Sequence, residues 1–206
     1  MQALPDRHTT QPWQIAPAVD AVRRGGVIAY PTEAVFGLGC DPDDPAAVDR
    51  LLTIKRRPAS KGLILVAADF HQLLRYIQPL EPERMAPILD SWPGPYTWLL
   101  PARTSRAPWL RGKHPTLAVR VSAHPTVRAL CHRLGGPIVS TSANLAGQLP
   151  ARRLLDVRLH LGAQVDHILP GRVGPQSAPS EIRDGRTGRL LRPGNPTSPD
   201  KGATHE

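Results

Sequence analysis

The chain has 206 residues, 40% of them apolar and only 4% aromatic, with a formal net charge of +9 from 26 Lys and Arg against 17 Asp and Glu. That length fits one domain with a real core, and two distant cysteines, Cys40 and Cys131, support neither a disulfide framework nor a cysteine–histidine metal site. The N-terminal residues lack a basic-then-apolar leader and no run of about 18 apolar residues occurs, so the expectation is a cytoplasmic protein, off the membrane, with an anionic partner.

Elements alternate along the chain, the pattern of an α/β or α+β domain. The residues from Ala16 to Arg24 read as a helix stopped by Gly25-Gly26, and Val27 to Tyr30 as a buried strand. Thr32-Glu33 places a hydroxyl and a carboxylate at that strand's exit, before a flexible Gly37-Leu38-Gly39. Asp44-Pro45 reads as an N-cap with proline at the first helical position, opening a helix through Ile54 that ends in the basic loop Lys55-Arg56-Arg57-Pro58. Leu63 to Val66 is a second strand. Asp69 is placed to cap a helix over Leu73, Leu74 and Ile77, and a further helix runs from Glu83 to Leu89. Strands follow at Tyr96–Leu100 and Leu117–Val121, then a helix at Pro125–Leu134 closed by Gly135-Gly136. The short strand Ile138-Val139-Ser140 runs into Thr141-Ser142-Ala143-Asn144. A helix at Leu154–His160 and strands near Ile168, Ile182 and Leu190 complete the domain. Residues 1–14 read as an extension, 15–193 as the domain and 194–206 as a disordered tail.

Neither GxxxxGK[ST] nor a strand-following GxGxxG occurs, so any nucleotide site is built by other means. Lys55, Arg56, Arg57 and Lys61 put four cations within seven residues. Read alone, they are a polyanion site or a solvated loop complementing a helix C-terminus. The run from Ser140 to Asn144 is dense in small hydrogen-bonding side chains at a strand exit, a place that suits ligand recognition. It is equally an ordinary polar turn in which Asn144 supports its own backbone. No GxSxG elbow surrounds Ser142. Cys131 reads as a small buried residue, and the histidines form no ligand pair.

In chain order these segments resemble the YrdC (TsaC) family of threonylcarbamoyl-AMP synthases, over about residues 15 to 193. The markers are the run Tyr30-Pro31-Thr32-Glu33 through Gly39, Lys55-Arg56-Arg57-Pro58, Lys61-Gly62-Leu63-Ile64, Trp92-Pro93-Gly94-Pro95-Tyr96-Thr97, Leu117-Ala118-Val119-Arg120, Ser140 to Asn144, Ser180 to Asp184, and Leu191-Arg192-Pro193-Gly194. The resemblance implies a single YrdC-like domain, a twisted mixed sheet with helices around a basic concave cavity. It implies formation of L-threonylcarbamoyladenylate and pyrophosphate from L-threonine, bicarbonate and ATP, with Mg²⁺ carried by ATP and no protein-ligated metal. The product would feed the threonylcarbamoyladenosine modification of tRNA through a downstream transferase complex.

By the same resemblance Lys55, Arg57, Ser142 and Asn144 match the K-x-R and S-x-N signature and form the catalytic set. Lys61, Thr116 and Arg192 join them on the ATP side, while Thr32, Arg120, Ser140 and Ser180 hold threonine. Two departures stand out: Val66 where many relatives have histidine, together with an added cation at Lys61, and Glu181 after Ser180. The rival from another class is a non-catalytic basic domain that holds tRNA or other structured RNA or assists ribosome assembly. Hydrogenase-maturation relatives carry an acylphosphatase region and cysteine-rich zinc modules, which 206 residues with two cysteines do not hold.

Overall fold

The structure, a computed structural model, describes residues 11–103, 105–176 and 179–194. The tail expected over 194–206 lies outside the described residues apart from Gly194, as do the first ten residues of the N-terminal extension. Helix α1 spans Pro12–Arg23, so it begins before the expected boundary at residue 15. Its first turn is held by Gln14, whose Oε1 accepts the Gln11 N–H at 2.8 Å. Strand β1 (Ile28–Pro31) follows, then β2 (Phe36–Gly39), α2 (Pro45–Lys55), β3 (Ile64–Ala67), α3 (Pro82–Asp90), β4 (Tyr96–Pro101) and β5 (Thr116–Val121). Next come α4 (Pro125–Leu134), β6 (Ile138–Ser142), α5 (Leu154–Leu161), β7 (His167–Ile168), β8 (Glu181–Asp184) and β9 (Leu190–Arg192). The described strands form one nine-stranded mixed sheet in the order β7-β1-β2-β6-β3-β5-β4-β8-β9. Among the described residues no helix is long and apolar enough to cross a membrane.

The central strands are near-continuous apolar runs because both sheet faces are buried. Their period of two divides the core. Ile28 and Tyr30, Val66 and Ile138 pack with α1 and α4 on one face. Ala29, Leu65, Ala67 and Val139 pack with α2 on the other. The register then sets the site. Val66 lies between Arg120 of β5 and Ile138 of β6, and one step on Ile64 lies between Ala118 and Ser140. Ser140 and Ser142 therefore share the α1/α4 face with Arg120, two residues and more beyond Ile138 at its foot.

Two expectations are corrected. Gly37-Leu38-Gly39 is not a flexible loop but part of β2, fully buried and paired antiparallel with β1 and β6. Glycine is required there by space: a Cβ at Gly39 would meet the Val139 carbonyl oxygen at 2.4 Å and the Tyr30 ring at 2.8 Å. The second correction concerns the helix over Leu73 to Ile77. Only a single 3₁₀ turn forms, at His71–Leu73. The Asp69 cap exists, accepting the Gln72 N–H at 3.1 Å. Beyond it Ile77 bridges Ala102 and the Gln78 N–H donates to the Pro101 carbonyl at 2.8 Å, so pairing with the end of β4 draws the backbone out of the helix.

Candidate active site

On the sheet face that carries Val66, Arg120 and Ser140 opens a cavity of about 170 Å³. Thr32, Ala34 and Val35 contribute from the β1–β2 turn, Ile64 and Val66 from β3, Arg120 from β5 and Ser140 to Ser142 from β6. Ser180, Arg192 and Arg57 close it from the remaining side. Thr32 shapes its own turn, with Oγ1 donating to the Val35 carbonyl at 2.7 Å. Tyr30, buried beneath, has its phenol pushed up by burial, opposed in part by a hydrogen bond with Ser140, so it stays neutral and supports that serine.

A second cavity, about 280 Å³, adjoins the first. It takes Lys61 and Thr116 at its edge and apolar side chains such as Leu99, Leu110, Ala118 and Ile182 in its wall. Arg57, Leu63, Ile64 and Arg192 line both cavities, so two guanidinium groups stand in the partition between them. Arg192 is on the exposed strand β9, yet its head turns inward: Nη2 donates to the Ser180 carbonyl at 2.7 Å and to Ser180 Oγ at 3.3 Å. Ser180 Oγ is in turn 2.8 Å from Thr97 Oγ1. The Arg192 charge is disfavoured first by burial and then by Arg120 and Arg57, which means three cations converge. Cations held together against their own repulsion prepare a place for an anion.

The Asp44 N-cap accepts from Ala46 and Ala47 at 2.9 and 3.1 Å, and α2 ends at Lys55. Arg56 then takes a left-handed conformation (φ 49°) while the Arg57 N–H returns to the Leu52 carbonyl at 3.0 Å. This reversal separates the two cations of the signature. Arg57 reaches the partition, anchored by Nη2 donating to the Gly62 carbonyl at 2.9 Å. Lys55 does not behave as the exposed loop cation that the sequence suggests; it is 5% exposed. Its Nζ donates to the Ser142 carbonyl at 2.6 Å, the Asn144 carbonyl at 2.5 Å and Asn144 Oδ1 at 2.8 Å. Burial, and then Arg57, push its pKa down to about 8.

Asn144 Oδ1 also accepts from Ser142 Oγ at 2.6 Å, and its Nδ2 donates to the Leu145 and Gln148 carbonyls at 2.9 and 2.7 Å. The second reading of Asn144, support of its own backbone, is thus realised. Lys55 and Asn144 line neither cavity and clamp the end of β6, which carries Ser142. Of the sequence candidates, Thr32, Arg57, Arg120, Ser140, Ser142, Ser180 and Arg192 meet in the first cavity and Arg57, Lys61, Thr116 and Arg192 in the second.

Sequence reasoning named two further residues without reading their supporting roles. Thr97, fully buried, braces Ser180, and its only signal was the motif around Tyr96. Glu33 is the buried carboxylate 3.3 Å from Arg120. Neither cysteine is a nucleophile: burial pushes Cys40 well up and Cys131 to about 12. His124 is buried with Nε2 3.1 Å from the Arg172 carbonyl, and burial pushes its pKa down.

The family model of the Sua5, YciO and YrdC proteins, described as "Telomere recombination", matches residues 20–194. A threonylcarbamoyl-AMP synthase of Nitrosococcus oceani is 56% identical over 180 residues, 87% of this chain and 97% of that protein. Among solved structures, P. abyssi Sua5 complexed with L-threonine is 32% identical at a TM-score of 0.83, over 89% of this chain and 55% of that one. E. coli YciO is 31% identical at a TM-score of 0.80, over 91% and 93% of the two chains.

Proposed function

Because the chain belongs to the Sua5, YciO and YrdC family, we infer that it forms L-threonylcarbamoyladenylate and pyrophosphate from L-threonine, bicarbonate and ATP. The observation that carries the reading is the shared wall. A small cavity of hydroxyls and Arg120 meets a larger, more apolar one across Arg57 and Arg192. An amino acid in the first and a nucleotide in the second would bring their anionic ends to that partition.

Bicarbonate takes up a proton and loses water to give carbon dioxide, which the neutral threonine amine attacks, releasing a proton to solvent and leaving an N-carboxylate. One of its oxygens attacks the α-phosphorus, the O–P bond forms, and the bond to the β-phosphate oxygen breaks to release pyrophosphate. Both reactants are anions, so the residues' work is to neutralise and to align. Arg120 would pair with the threonine carboxylate, with Thr32, Ser140 and Ser180 around the rest of the amino acid. Arg57, Lys61 and Arg192 would meet the phosphates, with Thr116 and Ser142 on the nucleotide. Lys55 and Asn144 would act by holding the end of β6, which carries Ser142. Mg²⁺ enters as part of the substrate MgATP, since the cavity lining offers guanidinium and hydroxyl groups and Glu33 is engaged by Arg120. The product is a mixed anhydride that a threonylcarbamoyl transferase complex would consume on a tRNA adenosine. Incubation with MgATP, bicarbonate and L-threonine, followed by mass spectrometry of the adenylate and assay of pyrophosphate, tests the reading. Folded protein yielding neither product overturns it.

A further inference from the structure

Glu33 stands at the exit of β1, where a carboxylate has no local reason to be buried, yet it is 6% exposed. The turn carries it across to the end of β5. There Oε1 accepts from Ser122 Oγ at 2.6 Å and from the Ala123 N–H at 3.2 Å. Ser122 Oγ is itself fixed, accepting the His124 N–H at 3.1 Å. Two donors thus aim Oε2 at Arg120 Nη2, 3.3 Å away and equally buried. The Arg120 Nε and Glu33 Oε2 atoms complete no hydrogen bond within the protein.

We propose that Glu33 is a positioning residue for Arg120, holding its guanidinium against the repulsion of Arg57 and Arg192 so that its free donors face the amino-acid carboxylate. This rests on the reading of Arg120 given above. A buried guanidinium beside two others needs a counter-charge, and among the described residues Glu33 is the carboxylate in ion-pair contact with it. Without that charge Arg120 would turn toward solvent, or take the substrate carboxylate in place of Glu33 with poorer geometry. Planar carboxylate recognition depends on the orientation of the fork. The loss should therefore fall on threonine binding and on its carboxylate, not on ATP.

The test uses the full chain. Glu33→Gln keeps size and an acceptor for Ser122 and Ala123 but removes the charge. The expected result is a threonine KM raised about tenfold or more, with the ATP KM within about twofold. The inhibition constant of L-threoninamide, which lacks the carboxylate charge, should hardly change, and Glu33→Asp should recover part of the loss. In an Arg120→Ala background Glu33→Gln should add nothing to the threonine KM. Should Glu33→Gln fail to fold, Ser122→Ala, which removes only the strut to Oε1, should shift the same parameters in the same direction by less. Equal losses for threonine and threoninamide, or an undiminished effect of Glu33→Gln without Arg120, overturn the proposal. An Arg120→Ala enzyme with normal threonine KM instead overturns the reading of Arg120 itself, which Glu33 data alone would not reveal.

Discussion

Lys55 Nζ lies 2.8 Å from Asn144 Oδ1 although 89 residues separate them, and the same amine holds the Ser142 and Asn144 carbonyls. The signature residues of the two halves of the chain are thus bonded to one another. That contact gives two members of the set a structural role, and it separates the expected behaviour of Lys55 from that of Arg57.

Lys55→Ala should cost both stability and activity. It strips three acceptors of a buried donor, and buried groups left unpaired cost about 1–3 kcal/mol. Arg57, half-buried at the partition, should behave otherwise: Arg57→Ala should raise the ATP KM and change stability by about 1 kcal/mol or less. Urea denaturation alongside pyrophosphate release distinguishes the two patterns, and a Lys55→Ala protein of native stability would contradict the clamp.

The depressed pKa of Lys55 gives a pH signature. Folded Lys55 releases its proton at about 8, whereas the unfolded group does so near its ordinary 10.5. Between these values the unfolded state binds more protons, so the Lys55 contribution to stability rises with pH through this window and is lost as pH falls through the folded pKa. The stability gap between wild type and Lys55→Met should widen across that window in denaturation curves. A gap that narrows would contradict the direction.

Threonine should be preferred to serine. Ala34, Val35 and Val66 supply an apolar wall in the 170 Å³ cavity, and one methyl against such a wall gives about 1–3 kcal/mol of discrimination in kcat/KM. Competition of the two amino acids, read by mass spectrometry of the adenylates, measures the ratio. Equal efficiencies would remove the wall from the specificity account.

The +9 charge also extends well beyond the site. Arg75, Arg84 and Arg158 are exposed and line neither of the two site cavities; Arg75 faces Asp43 at 3.6 Å. Reversing the three to glutamate should leave adenylate formation within about twofold, and any retention of RNA on a filter should weaken, with a salt dependence typical of counterion release. Loss of synthesis in the folded variant would join the diffuse surface to the catalytic site.

What the sequence determined by itself is what local chemistry encodes. Asp44-Pro45 announces α2, Gly135 closes α4, and apolar runs mark β1, β3 and β5; these rest on caps, φ preferences and side-chain period, all confined to a few neighbouring residues. The order of the motifs was also sufficient to place the chain in its family and to name most of the polar residues that line the two cavities, but not to show that Lys55 and Asn144 lie outside both. Tertiary structure alone decided the rest. Gly37 to Gly39 reads as a loop until the Tyr30 ring and the Val139 carbonyl are seen to occupy the space a side chain would need at Gly39. Lys55 reads as exposed because helix-end lysines usually are, and only the end of β6 with the two residues after it, brought against the end of α2, supplies its acceptors. Glu33 and Arg120 stand 87 positions apart, and their pairing follows from the β1–β2 turn crossing to the end of β5. Charge partners and strand register depend on which surfaces meet after folding, and no local period or cap carries that information.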